Sequence, residues 1–262
     1  MSEIKQYRPG TFCWVELATS DAKSAKAFYG ELMDWKADEQ EVPGGMFYNT
    51  LQHKGKAVAG LYEITAEMKS EGIPPHWMSY VSVANADQAS TKAKSLGGTV
   101  FRDPFDVMDI GRMAVIQDPT KAMFAVWQPK NMQGAELVNE VGAFCWNELL
   151  TTDTAAAEKF YTGLFGWSAD HQDVGPMPYT MFMNGERMAA GMLPITKEMG
   201  DIPPNWMVYL SVKDCDASVE RARKMGANVL APPMDIPEIG RMAALLDPQQ
   251  AAFSIIKLEN PQ

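Results

Sequence analysis

The segment Thr11–Ala18 alternates apolar and polar positions and is rich in strand formers, which predicts a half-buried strand. The period then changes. Ser20-Asp21 supplies a helix N-cap, and Ala25, Phe28, Tyr29 and Leu32 recur at three- and four-residue spacing, predicting a helix to about Met33 with one buried stripe. Three further strands are expected at Lys36–Val42, Met46–Gln52 and Lys56–Ile64, the last two joined by a turn at His53-Lys54-Gly55. The pattern restarts with a strand at Trp77–Val83 and a helix at Asp87–Leu96, ended by Gly97-Gly98. Strands near Thr99–Phe101, Arg112–Gln117 and Met123–Gln128 follow.

The whole sequence of elements occurs twice. TFCWVELATSDAKSAKAFYGELMDW returns as AFCWNELLTTDTAAAEKFYTGLFGW, with Phe12 matching Phe144 at an offset of 132 (144 − 12). GIPPHWMSYVSV returns as DIPPNWMVYLSV, and IGRMAVIQDP as IGRMAALLDP, both at an offset of 129 (206 − 77 and 248 − 119). In the second copy Asn184-Gly185 marks the hairpin turn. Repeats this long are domain-sized rather than solenoid units. The expected organisation is a domain over residues 1–130, a linker without periodic pattern near Pro129–Asn139, and a second domain over 138–262. Each domain reads as two strand-helix-strand-strand-strand units, an α+β fold.

Composition narrows the function classes. The 262 residues carry a formal charge of −10 and no basic cluster, so nucleic acid is not an expected partner. No apolar run can span a bilayer and MSEIKQYRPG lacks a signal-peptide core, so no membrane partner is expected and a cytoplasmic location is. Cys13, Cys145 and Cys215 form no CxxC or disulfide pattern and read as small buried hydrophobes in a reducing compartment. His53, His76 and His171 have no histidine counterpart in the other copy.

The strand-plus-helix start with Asp21, Phe28-Tyr29 and Trp35, its repeat with Asp153, Phe160-Tyr161 and Trp167, and the later YVSVANADQASTKAKSLGGTV…GRMAVIQDP run resemble the vicinal-oxygen-chelate superfamily of glyoxalases, bleomycin-resistance proteins and extradiol dioxygenases. That resemblance implies two tandem glyoxalase-like domains, each a curved, cup-shaped mixed sheet with helices outside. It also implies where metal-dependent members place their ligands. On the first strand these positions are Trp14 and Trp146, on the fifth Met78 and Met207, and on the last Ala125 and Ser254. None is a ligand suited to a divalent ion, so no metal and no cofactor are expected.

Strand parity gives a second view of the same cups. Cys13, Val15 and Leu17 should meet the helix, leaving Phe12, Trp14 and Glu16 in the first cup and Phe144, Trp146 and Glu148 in the second. Trp206, Val208, Leu210 and Val212 form the helix-facing side of the fifth strand, leaving Met207 and Tyr209, and by repeat Met78 and Tyr80, in the cups. An apolar wall with a few placed polar groups suits a small organic ligand, and a carboxylate beside tryptophan suits a cationic or aromatic one. The expected ligand-binding set therefore also includes Arg112 and Arg241, either lining the cups or pairing with the glutamates as structural ion pairs.

Three readings follow. One is a metal-independent small-molecule binder of the glyoxalase/bleomycin-resistance type, acting as monomer or homodimer. The second is an enzyme of lyase, isomerase or dioxygenase type, either with Glu16 or Glu148 as base and Tyr80 or Tyr209 as donor, or with non-standard metal ligands. The third is a structural module whose cups are packed shut by Trp14 and Trp146.

Overall fold

The computed structural model describes residues 4–174 and 177–259. Its first half runs β1 (Phe12–Thr19), α1 (Ala22–Met33), β2 (Lys36–Val42), β3 (Met46–His53), β4 (Lys56–Glu63), α2 (Ala66–Ser70), β5 (His76–Ser82), α3 (Ala86–Ser95), β6 (Thr99–Val107), β7 (Gly111–Gln117) and β8 (Met123–Pro129). The second half runs β9 (Phe144–Thr151), α4 (Thr154–Phe165), β10 (Ser168–Val174), β11 (Met177–Asn184), β12 (Arg187–Pro194), β13 (Asn205–Ser211), α5 (Cys215–Lys224), β14 (Asn228–Ile236), β15 (Gly240–Leu246) and β16 (Ala252–Leu258). Each half forms its own eight-stranded mixed sheet, ordered β2-β3-β4-β1-β5-β8-β7-β6 in the first and identically in the second. The two units of a domain join through the antiparallel central pair, β1 with β5 and β9 with β13.

Local chemistry explains the element ends. Asp21 and Asp153 each accept the amide N–H three residues on, capping α1 and α4, and Asp34 and Gly166 close those helices in the left-handed region. The edge strand β6 extends to Val107, well beyond the expected Phe101. Two register shifts, between Val100 and Arg102 and between Arg102 and Phe105, absorb Pro104 at an edge where its missing N–H costs no ladder bond. The proline-bearing segment before β5 also contains a short helix, α2, capped by the Thr65 side chain.

The backs of the two sheets share one core. Phe28 and Tyr29 of α1 pack on Phe253 of β16, while Phe160 and Tyr161 of α4 pack on Phe124 of β8. Each tyrosine donates its hydroxyl to an aspartate of the other domain, Tyr29 to Asp247 at 3.0 Å and Tyr161 to Asp118 at 2.9 Å. Each in turn accepts an indole N–H, from Trp77 and Trp206 respectively. Trp35 and Trp167 bridge the interface too, donating to the carbonyls of Gly142 and Gly10. At the centre Ser79 Oγ donates to Asn147 Oδ1 at 2.6 Å. With both sheet backs occupied in this way, the opposite faces are left for the cups. Among the described residues no helix is long and apolar enough to cross a membrane.

Removing one tyrosine hydroxyl strands both an indole N–H and a carboxylate oxygen in this core. Tyr161→Phe should lower the unfolding free energy by about 1–3 kcal/mol. Urea denaturation measures it, and an unchanged midpoint would mean that the buried relay adds nothing to the fold.

Candidate functional site

The cup in each sheet is organised around a glutamate on the first strand. Trp14 pairs with Tyr80 across β1 and β5, Glu16 pairs with Met78, and Tyr80 lies beside Ala125 of β8. The second sheet repeats this with Trp146–Tyr209, Glu148–Met207 and Tyr209–Ser254. Glu16 accepts hydroxyls on both oxygens, Tyr80 on Oε1 and Tyr48 on Oε2, each at 2.7 Å. Trp14 Nε1 donates to Tyr48 Oη at 3.2 Å, so an indole, two phenols and a carboxylate make one chain. Glu148 is held the same way, by Tyr209 at 2.7 Å and by Tyr179, which accepts from Trp146 Nε1 at 3.3 Å.

Two glycines make this possible. A Cβ on Gly60 would collide with the Tyr48 hydroxyl and sit 3.1 Å from Glu16 Oε2, and Gly191 stands in the same relation to Tyr179 and Glu148. The glycines let each tyrosine reach over its strand to the carboxylate. Tyr48 and Tyr179 were missing from the expected site. Their signal is present nonetheless, as tyrosines at equivalent places in β3 and β11, each diagonal to an in-strand glycine of the neighbouring strand in both copies.

Four expected site residues lie elsewhere. Phe12 packs its ring on Trp206 and Trp167 of the other domain, at 5.0 and 6.1 Å between ring centres, and Phe144 is buried in the shared core. The reason is a bulge: register shifts between Phe12 and Trp14, and again opposite Trp146 and Phe144. The extra residue, Cys13 or Cys145, reverses the parity on which the counting relied. Cys145 accordingly packs against the second cup.

Arg112 and Arg241 also stay out of the cups and do not pair with the glutamates. Arg112 forms ion pairs with Asp87 and Asp106, and Arg241 with Asp216 and Asp235. Arg112 shares its side of β7 with Ala114 and Ile116, fully buried residues of the helix-covered face, so its guanidinium meets the first turn of α3. Met113 and Met242, one position on, take the cup face; Met242 packs with Met207 and Tyr209.

Electrostatically the cups are unusual. Burial pushes the Glu16 and Glu148 carboxyls above the ordinary glutamate range, opposed only partly by the hydroxyl donors. Among the described residues neither carboxylate has an ion-pair partner. The tyrosines beside them are raised in turn by burial and by the neighbouring carboxylate. At neutral pH each hydroxyl therefore stays a donor.

The positions at which the resembling family binds metal do converge here, but their side chains do not fit an ion. Trp14 and Trp146 offer an N–H donor, Met78 and Met207 a soft thioether, and Ala125 a methyl group. Among the described residues no three or more His, Cys, Asp or Glu side chains are grouped to hold a metal. Two open cavities lie away from the cups. One of about 420 Å³ lies between the domains beside His53 and Arg221, and one of about 520 Å³ flanks the start of α1 beside Phe47 and Lys26.

The sequence profile of the Glyoxalase/Bleomycin resistance protein/Dioxygenase superfamily matches residues 11–126 and 142–255. A protein named putative glyoxylase CFP32, from Mycobacterium tuberculosis, is 38% identical over 259 residues, covering 98% of both chains. The anthracycline biosynthesis protein DnrV of Streptomyces peucetius is 34% identical over 268 residues, covering 97% of this chain and 96% of that one. Among solved structures, a Mn(II)-bound glyoxalase from Novosphingobium aromaticivorans superposes with a TM-score of 0.66 at 14% identity, covering 97% of this chain and 86% of that chain. A 2,2',3-trihydroxybiphenyl 1,2-dioxygenase from Sphingomonas wittichii superposes at 0.64 and 10% identity, covering 95% and 91%. At those identities the structural matches establish the fold alone.

Two outcomes follow from the site. Protein dialysed against zinc, nickel, manganese or iron(II) and washed should hold no stoichiometric metal by mass spectrometry; one equivalent per chain would reveal a ligand set outside these positions. The raised carboxyls mean that the folded chain keeps protons that the unfolded chain releases. Unfolding free energy should therefore fall as pH rises above the ordinary glutamate value of 4.5 and level off beyond the raised value. Asp118 and Asp247 are raised by burial too and add a fall of the same sign. Urea titrations of Glu16→Gln/Glu148→Gln should show a shallower fall than the parent; equal slopes would mean the glutamates titrate normally.

Proposed function

The chain belongs to the glyoxalase/bleomycin resistance protein/dioxygenase superfamily, and from that premise we propose that it binds a small organic molecule in its sheet-lined cups through a buried glutamate rather than a metal ion. The observation that carries this reading is the carboxylate itself. Glu148 is 6% exposed, hydrogen-bonded to two tyrosines and without a counter-cation. A desolvated carboxylate of that kind gains most from a ligand that brings positive charge or an N–H or O–H donor. The tryptophan beside it supplies a flat apolar wall and a π face for a cation.

The cups are filled by their own side chains, so a ligand must displace some of them. The displaceable ones are methionines, Met78 and Met113 in the first cup and Met207 and Met242 in the second. Their unbranched thioethers repack at low cost. A relative named for anthracycline biosynthesis favours an aromatic body for the ligand, and the acidic chain draws cations weakly from a distance.

A second reading is supported by the raised carboxyl. A glutamate with elevated pKa, next to a phenol donor, is the arrangement of a general base acting on a ligand C–H, with the tyrosine hydroxyl stabilising the resulting oxyanion. The relative named as a putative glyoxylase favours this one. Exchange of a ligand C–H into deuterated water, lost in Glu148→Gln, would be its signature.

The binding reading is tested with 9-aminoacridine, a flat aromatic cation. Calorimetry should show saturable binding to the parent, weakened at least tenfold in Glu16→Gln/Glu148→Gln. Equal affinity in parent and double variant would refute the carboxylate as the anchor.

A further inference from the structure

We propose that the groove between the domains, beside His53 and Arg221, is a second binding site and takes a short zwitterionic peptide of the dipeptide class. The proposal is independent of the cups. The groove encloses about 420 Å³, within the ~300–1,000 Å³ of sites for small organic molecules. One wall is the end of α1 and the other is the end of β13 with the first part of α5, and the β3–β4 turn completes the lining. Its charges are divided between these elements. Glu31 and Asp34 stand at the end of α1, Lys213 and Arg221 on the β13–α5 wall and Lys54 in the turn. All five are exposed, and among the described residues none forms an ion pair although both signs line one cavity. The remaining acid, Asp214, is committed to the Ala217 amide as the cap of α5. Buried Leu32 and Val212 add an apolar surface.

His53 is the buried polar group of the groove. It is 7% exposed, its ring lies against Gly142, and Nδ1 faces the Asp34 carbonyl at 3.3 Å. A carbonyl only accepts, so in the neutral ring Nδ1 carries the hydrogen and Nε2 is an acceptor without a partner among the described residues. Glu31, Asp34 and His53 Nε2 therefore offer acceptors to an ammonium group, while Lys54, Lys213 and Arg221 offer cations to a carboxylate. Opposite charges on separate elements suit a ligand that carries its charges at its two ends.

The duplication supplies the contrast. At the equivalent positions of the other half, Glu31, Asp34, Lys54 and Lys213 give way to Gly163, Gly166, Gly185 and Ala84. His53 becomes Asn184, which donates to the Pro9 carbonyl at 2.9 Å and accepts from Arg8 on its own carbonyl at 3.4 Å. The apolar lining is kept, as Leu164 and Val83. The fold therefore needs the apolar residues of this place but not its charges. Two of those charges stand where the backbone favours glycine. Asp34 has φ +57° and Lys54 φ +52°, against +73° for Gly166 and +66° for Gly185. A lysine held there gives up stability that glycine would keep, which fits a side chain retained for what it contacts rather than for the turn.

The test is calorimetry of the full chain with three probes: L-leucyl-L-leucine, its methyl ester, which lacks the carboxylate, and its N-acetyl derivative, which lacks the ammonium group. The parent should bind one free dipeptide per chain, and each blocked form at least tenfold more weakly. No saturable binding of the dipeptide, or equal affinity for either blocked form, would overturn the proposal. The variant Asp34→Gly/Lys54→Gly/Lys213→Ala gives this groove the residues that its counterpart already carries. It should bind the dipeptide at least tenfold more weakly, with a urea midpoint no lower than the parent's; unchanged affinity would overturn the proposal. The blocked dipeptides decide the question even if this variant is destabilised. Glu16→Gln/Glu148→Gln should bind the dipeptide as the parent does, and a tenfold loss there would move the peptide to the cups and overturn the assignment to the groove.

Discussion

The packing of each domain's first helix between its own sheet and the other domain is the constraint on which the rest of the molecule depends. Tyr29 reaches Asp247 and Tyr161 reaches Asp118, each in a core from which water is excluded. The aspartates are fully engaged there: Asp118 also accepts from Thr120 and Ala122, and Asp247 from Gln249 and Ala251. A buried carboxylate so satisfied is stable where it stands and costly to strand. It fixes the sheets back to back and points both cups outward. A duplicated chain thus achieves within one molecule a two-fold arrangement in which each copy completes the core of the other.

Within each cup, geometry follows from three local features. A bulge at Cys13 or Cys145 turns the preceding phenylalanine into the shared core. A glycine in β4 or β12 opens the gap through which a tyrosine reaches the glutamate. Among the described residues no cation pairs with that carboxylate, which is held by phenol donors, one of them accepting in turn from the indole. On a fold that elsewhere carries a Mn(II)-bound glyoxalase, the same strand positions converge here with indole, thioether and methyl side chains, whose chemistry does not suit a divalent ion.

Much of this was legible in the sequence because the sequence says it twice. The caps at Asp21 and Asp153, the buried helix stripe and the cup positions of Trp14, Glu16, Met78 and Tyr80 all follow from period and repetition. What failed was parity wherever one residue was inserted or a strand start was misjudged. Strict alternation places Phe12 and Phe144 in the cups, because a bulge leaves no compositional mark. Complementarity to a glutamate draws Arg112 and Arg241 toward the cups, but Ala114 and Ala243 on the same side of their strands are fully buried under the helices and fix the opposite facing. The linker had no period to read, and its role lies in backbone bonds from Ala135 and Glu136 that no side-chain pattern encodes.

The central proposal is that a small organic cation binds in the sheet-lined cups, with its charged end on Glu16 or Glu148. A crystal structure of the protein grown with 9-aminoacridine tests it most directly. The proposal predicts density in at least one cup, with the amino group within hydrogen-bond reach of the Glu16 or Glu148 carboxylate and a cup methionine (Met78 or Met113, Met207 or Met242) moved aside. Density only in the groove between the domains beside His53 and Arg221, with both cups unchanged, would contradict it.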